Sequence, residues 1–409
     1  MHVLRVLIFS LAPQAGRGGA LIPEESRMKF ALWNLGFRPF YLLAGVFAVL
    51  ALALWTAHFA GWLAGASYLR DPLWHAHEMI FGYAFAVIAG FLLTAVCNWT
   101  GLSTPTGSRL AAIAALWVAG RVLPATPWPL AAAAADTAFA LALAAGIGVP
   151  LLASGNRRNY FFIALMLAIG GANLAFHLAM SGRFEIPVRD MLQLGLNLIA
   201  FIMALMGGRV IPMFTANGVP GTKPVRWLWL ERVALASLLV LLAADLARLP
   251  PVAVAVIAGI AGAAHAWRLA LWQPLLTRGT PLVWILHAAY AWLVLYLILR
   301  ALAGFGIVPP NLATHALTVG AIGGLTLGMM TRTARGHTGR ALRAEAAETA
   351  CYVLINLAAV VRVFVPLAAP AFYRDTVIMS GVLWAAAFAV FVYKYWTILT
   401  RPRVDGRSG

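Results

Sequence analysis

Apolar runs long enough to cross a lipid bilayer recur along the whole chain, and they constrain the fold more than any other feature. A helix rising 1.5 Å per residue needs about 20 apolar residues to cover roughly 30 Å of hydrocarbon. Such runs occur at about 41–63, 78–97, 109–124, 130–153, 160–180, 190–207, 230–249, 251–272, 281–302, 312–331, 347–367 and 376–399. They predict an all-α, polytopic membrane bundle of about 12 transmembrane helices. Pro, Gly and Arg punctuate the runs, as in "LPATPWP", "SGNRRN" and "TRPR", as expected of connecting segments. Hydrophobic residues make up 62% of the 409 and charged ones only 11%, against roughly 45–50% and about 25% in ordinary globular chains. One soluble core cannot bury such an excess.

Positive charge orients the bundle. With the N-terminus inside, the cytoplasmic segments hold 22 of the 30 Lys and Arg. The outer side keeps eight: Arg70, Arg121, Arg183, Arg189, Arg248, Arg300, Arg362 and Arg374. That asymmetry predicts an N-in, C-in topology. It also accounts for the net charge of +17 without nucleic acid, since no basic run interleaved with aromatics is present. Cys97 and Cys351, with no C-x-x-C, form no disulfide framework and read as small buried hydrophobes. Residues 1–27 have the basic start and short apolar core of a signal peptide. Cleavage there would reverse the charge asymmetry, however, and Met28 opens a sensible start, "MKFALWNLGFRPF". The expectation is a disordered extension or an upstream start over 1–27, then one transmembrane domain over 28–409. His2 therefore carries no weight.

The remaining histidines fall into two sets on this topology. The outer set is His75, His77 and Glu78 at the start of the second span, His177 at the end of the fifth, and His315 at the start of the tenth. The inner set is His287 in the ninth span and His337 just past the tenth. Ionisable groups are expensive in lipid and usually face the bundle interior. His58, on the outer side, and His265, on the inner, read as single interfacial side chains rather than ligands. The outer histidines with Glu78 read as metal or cofactor ligands. Residues i and i+2 of a helix point about 200° apart, so His75 and His77 serve two centres unless the turn after Pro72 bends His75 inward. Imidazole commonly ligates haem iron and copper, and without C-x-x-C-H any haem is held non-covalently.

Two further stretches bear on the site. Gly320, Gly324 and Gly328 recur every four residues in "THALTVGAIGGLTLGMMTRTARGHTGR". A cleared helix face of this kind serves close helix–helix packing or a flat macrocycle, and the spacing does not separate the two. In "MGGRVIPMFTANG", Arg209 sits between apolar runs, placed to meet a propionate or a substrate anion. Arg335, Arg340 and Arg343 read as positive-inside charge.

Six stretches together resemble the NnrS family: "GFRPFYLLAGV", "WHAHEMIFGYAFAVIAGFLLTAVCNWTG", "ANLAFHL", "GGRVIPMFTANG", "LHAAYAWL" and "HALTVGAIGGLTLGMMTRTARGHTGR". They occur in the family's order from about residue 30 to 400. The resemblance implies a multi-pass protein of the bacterial inner membrane carrying haem b and copper, linked to denitrification and nitric oxide tolerance. It carries over His75, His77, Glu78, His177, Arg209, His287, His315 and His337 as cofactor or metal residues, without saying which binds which. Cys97 stands where the family typically has proline.

Two functions from different classes follow. One is a haem- and copper-bearing protein that binds or turns over nitric oxide or a derived species, its electron donor unidentified. The other is a transporter or metal-handling protein, which a pseudo-repeat between the halves would favour. The sequence shows no convincing repeat.

Overall fold

The structure, a computed structural model, describes residues 30–63 and 72–407. The expected extension over 1–27 lies outside the described residues. Twelve long helices follow one another: α1 (Phe37–Phe59), α2 (Leu73–Thr100), α3 (Gly107–Val122), α4 (Pro129–Ala153), α5 (Phe161–Met180) and α6 (Val188–Gly218), then α7 (Leu228–Leu246), α8 (Pro251–Leu271), α9 (Pro281–Gly304), α10 (Pro310–His337), α11 (Ala346–Ala368) and α12 (Tyr373–Thr400). No strand occurs among the described residues. Eleven of these segments are long and apolar enough to cross a membrane. The exception is α7, whose 19 residues include Glu231, Arg232 and Asp245.

The Ala31 amide donates to the Thr400 carbonyl at 2.8 Å, so both ends of the described chain share one face of the bundle, here the termini face. The opposite side is the far face. Helices α2, α6, α9 and α10 are the most enclosed. The others wrap them, with α12 against α1 and α11, α8 against α7 and α9, and α4 against α3 and α5.

Helix α6 runs to Gly218, well past the expected end at 207. Gly207, Gly208 and Pro212 lie inside it rather than after it. Proline inside a membrane helix is tolerated where neighbouring groups satisfy the freed backbone. Arg209 is therefore a helical residue, not part of a connecting segment.

Helices α2 and α10 share a design that the residue pattern did not disclose. Each spans 28 residues, opens at a proline on the far face, and changes from α to π geometry directly after a histidine. The π segments are Glu78–Ala84 after His77 and Ala316–Gly323 after His315. A π turn shifts the side-chain register and is frequent at functional sites. The glycine face of α10 serves packing, not a macrocycle. A Cβ on Gly324 would stand 3.0 Å from that of Ala289, and one on Gly328 2.9 Å from Ile285 and Leu286, all three on α9.

At the termini face, Glu345 and Glu348 form a capping box on α11. Arg335 donates to Glu345 at 2.9 Å and to Glu348 at 2.7 Å, while Lys394 donates to Glu345 at 2.5 Å. The hydrogen bond from Lys394, then that from Arg335, hold the Glu345 carboxyl down at about 2. Its unfolded value is about 4.3. Being depressed, it contributes stability above the unfolded value that is lost as pH falls from about 4.3 toward 2. Because Glu345 is 57% exposed, the contribution is at most about 1 kcal/mol. Glu345→Gln is expected to lower the unfolding midpoint at pH 7 and to match the parent only below about pH 2. An unchanged midpoint at pH 7 would remove this role.

Candidate functional site

The outer histidines divide between two places. His75 and His315 line a cavity of about 690 Å³ between α1, α2, α6, α10, α11 and α12. His77, Glu78 and His177 lie in a closed polar cluster beyond it, between α2, α3, α4 and α5. Two residues of separation on α2 turn His75 and His77 to different sides, as helical geometry requires.

The cavity walls are largely apolar, with Leu52, Phe59, Leu196, Ile322 and Trp384 among them. His75, His315 and Arg362 reach this wall, which Arg189, Gln193, Thr318 and Ser380 also line. The His75 ring stacks on Trp55 at 4.6 Å and 12°, and its buried Nδ1 has no hydrogen-bond partner among the described residues. His315 Nδ1 lies 2.6 Å from the Asn311 carbonyl. That oxygen can only accept, so Nδ1 carries the proton and Nε2 keeps its lone pair. Arg362 is 7% exposed, and its buried Nη1 has no hydrogen-bond partner among the described residues. On the floor, the Tyr83 hydroxyl meets Thr326 Oγ1 at 2.6 Å. Thr326 donates to the Ile322 carbonyl at 2.6 Å, so Tyr83 is the donor between them. Two imidazoles with a free nitrogen in an apolar chamber can ligate a metal-bearing cofactor. The volume falls in the range of ligand pockets, about 300–1,000 Å³.

The closed cluster is built around Arg121, whose guanidinium bridges Glu78 and Asp136. Asp136 is the only charged residue of α4, in the run "PLAAAAADTAFALALAAGIGVPLLA". His177 Nε2 lies 3.0 Å from Asp136 Oδ2. His77 Nδ1 lies 3.0 Å from Glu78 Oε1, while its Nε2 faces Asn173 Oδ1 at 2.8 Å and Asp136 Oδ2 at 3.6 Å. A Cβ at Gly82 would stand 2.7 Å from Arg121 Nη1, so glycine there makes room for the guanidinium. Ligand atoms of His77, Asp136 and His177 all lie within 4.8 Å of one another. A metal about 2.0–2.2 Å from each needs ligands no more than roughly 4.4 Å apart, so a small contraction closes the shell. This buried group could hold a metal ion. Charge favours it too: two carboxylates oppose one guanidinium, leaving one negative charge for a proton or a cation to balance.

The remaining predicted residues lie elsewhere. His287 Nε2 meets Thr215 Oγ1 at 2.8 Å, and Thr215 itself donates to the Ile211 carbonyl at 2.8 Å. Arg209 donates to Asn159 Oδ1 at 2.9 Å and lies over the rings of Phe161 and Phe162. The His337 ring packs on Phe37 at 5.6 Å, near the termini face. These three do not reach the cavity or the closed cluster. His265 is a satisfied core histidine, bonded to Tyr290 at 2.6 Å and to the Ala234 carbonyl at 2.9 Å. Sequence reading missed Asp136, Arg121, Asn173 and Arg362. Asp136 carried a usable signal, one carboxylate alone in an alanine-rich span. Arg121 and Arg362 were counted as outer charges because both lie near span ends.

Helices of this length around buried ionisable groups define a multi-pass membrane protein with a metal-competent interior. The chain belongs to the NnrS family, whose model, described as NnrS protein, matches residues 31–403. Comparison with curated proteins finds no match.

Proposed function

We propose that this is a haem- and copper-bearing protein of the bacterial inner membrane that binds or turns over nitric oxide or a species derived from it. The observation that carries this reading is the cavity in which His75, His315 and Arg362 each present a buried group that the fold leaves available. His75 and His315 would hold haem b, which supplies an iron able to bind diatomic ligands and to exchange electrons. The resemblance also implies copper, and His77, Asp136 and His177 would hold it. Imidazole and carboxylate are acceptable donors for copper(II), and Glu78 orients the His77 ring from behind.

This chain's own residues do the rest. Apolar side chains make up most of the cavity wall, and Trp55 holds the plane of His75. The Asn311 carbonyl holds the proton of His315 at Nδ1, fixing which nitrogen can ligate. Nitric oxide is small and apolar and concentrates in lipid, so a chamber within a bilayer is well placed to meet it.

Purified protein is expected to give a b-type pyridine haemochrome that transfers fully into acid–acetone, with copper in the same preparation. His315→Ala is expected to lower haem content while the protein still inserts in the membrane. Haem that stays with the protein on extraction would overturn non-covalent binding. Absence of both haem and copper would favour the transporter reading, which the matched helices α2 and α10 would then support.

A further inference from the structure

Arg362 stands out in the cavity wall. It is 7% exposed and pairs with no carboxylate among the described residues. Its Nη2 reaches only the Tyr373 hydroxyl, at a long 3.3 Å, and the guanidinium lies over that ring at 5.3 Å. Nη1 has no hydrogen-bond partner among the described residues. An unpaired buried cation is expensive, and one cation–π contact at a partly exposed tyrosine offsets only about 0.5–1 kcal/mol. Among the other buried arginines, Arg121 is matched by Glu78 and Asp136, Arg268 by Glu231 and Arg335 by Glu345 and Glu348, while Arg38 donates to the Leu399 and Arg401 carbonyls and Arg332 lies over the Phe214 ring. Of these buried arginines Arg362 is the one that lines the cavity, with no carboxylate paired to it among the described residues. A group entering that chamber with a carboxylate would compensate it, by a charge-assisted hydrogen bond to Nη1.

We propose that Arg362 is the positioning residue of the cavity ligand, taking a carboxylate of that ligand while His75 and His315 meet its metal. The inference rests on the haem reading, under which the carboxylate is a haem propionate. It also moves the propionate partner from Arg209, the sequence-level candidate, to Arg362. Arg209 has an amide partner and two aromatic rings and lines no part of this cavity.

The test uses the full-length protein freed of haem in detergent, reconstituted with haem b or with its dimethyl ester, whose acid groups are blocked. Binding and midpoint potential are read for the parent, Arg362→Gln and Arg362→Lys. A hydrogen bond to a charged group is worth about 1.5–3 kcal/mol, so Arg362→Gln should weaken haem b binding by about 10–100-fold. Blocking the acid groups should weaken binding to the parent by a similar factor. The decisive point is that Arg362→Gln adds nothing to the loss the ester already causes, because the contact it removes is already gone. Arg362→Gln should also lower the midpoint potential, since a cation beside the haem favours the reduced form, and Arg362→Lys should keep most of it. The ester arm needs no substitution and so stands even if a variant fails to fold. Losses that multiply, or an ester that binds the parent as tightly as haem b, would overturn the anchor while leaving the haem reading intact. A parent protein that binds neither form would overturn both.

Discussion

Arg121→Ala is expected to destabilise the protein by about 3–5 kcal/mol, the typical cost of removing one partner from a buried ion pair. The side chains of Arg121, Glu78 and Asp136 are 4%, 1% and 2% exposed. Without the guanidinium, two carboxylates face each other in a membrane interior with neither water nor a cation between them. Unfolding in detergent should therefore shift to markedly lower temperature or denaturant. The double variant Arg121→Ala with Asp136→Asn should recover part of the loss, because it removes one of the stranded charges and the two positions are in contact. Copper at His77, Asp136 and His177 would supply positive charge to the same carboxylates, so the loss should be larger after chelation than in copper-loaded protein. An Arg121→Ala protein as stable as its parent in both states would show that the bridge is not what holds α2, α3 and α4 together here.

The architecture was legible because bilayer thickness leaves a coarse, repeated signal. Apolar run length gave the number and order of the helices, and only their ends shifted. Helix α6 ran on through Pro212 because a membrane helix keeps its hydrogen bonds where a soluble one would break. Candidate site residues stood out where they broke a run: His75, His77, Glu78, His177 and His315 all interrupt or bound apolar stretches. Which of them meet was not legible, because that depends on helix packing at large sequence separation. Asp136 lies 58 positions after Glu78, yet one arginine bridges the two. The π turns were also silent in the sequence. They arise from a register shift within a continuous helix, and no residue type marks them as proline marks a break.

His75→Ala and His77→Ala are expected to remove different centres. Both sit in the first turns of α2, two residues apart, and a regular helix turns such a pair about 200° from each other. His75 lines the cavity shared with His315. His77 lines none of it and meets Glu78, Asn173 and Asp136 on the other side. Losing His75 should abolish or grossly alter the haem bands in the reduced-minus-oxidised spectrum, with copper retained. Losing His77 should deplete copper and leave those bands near the parent's. Glu78→Gln keeps shape but removes the charge behind the His77 ring, and should resemble a weakened His77 rather than a lost one, costing about 10–100-fold in copper affinity. The three variants measured together, by spectrum and metal content, read the two faces of one helix. Identical loss of one and the same centre from both histidine variants would refute the division into cavity and closed cluster.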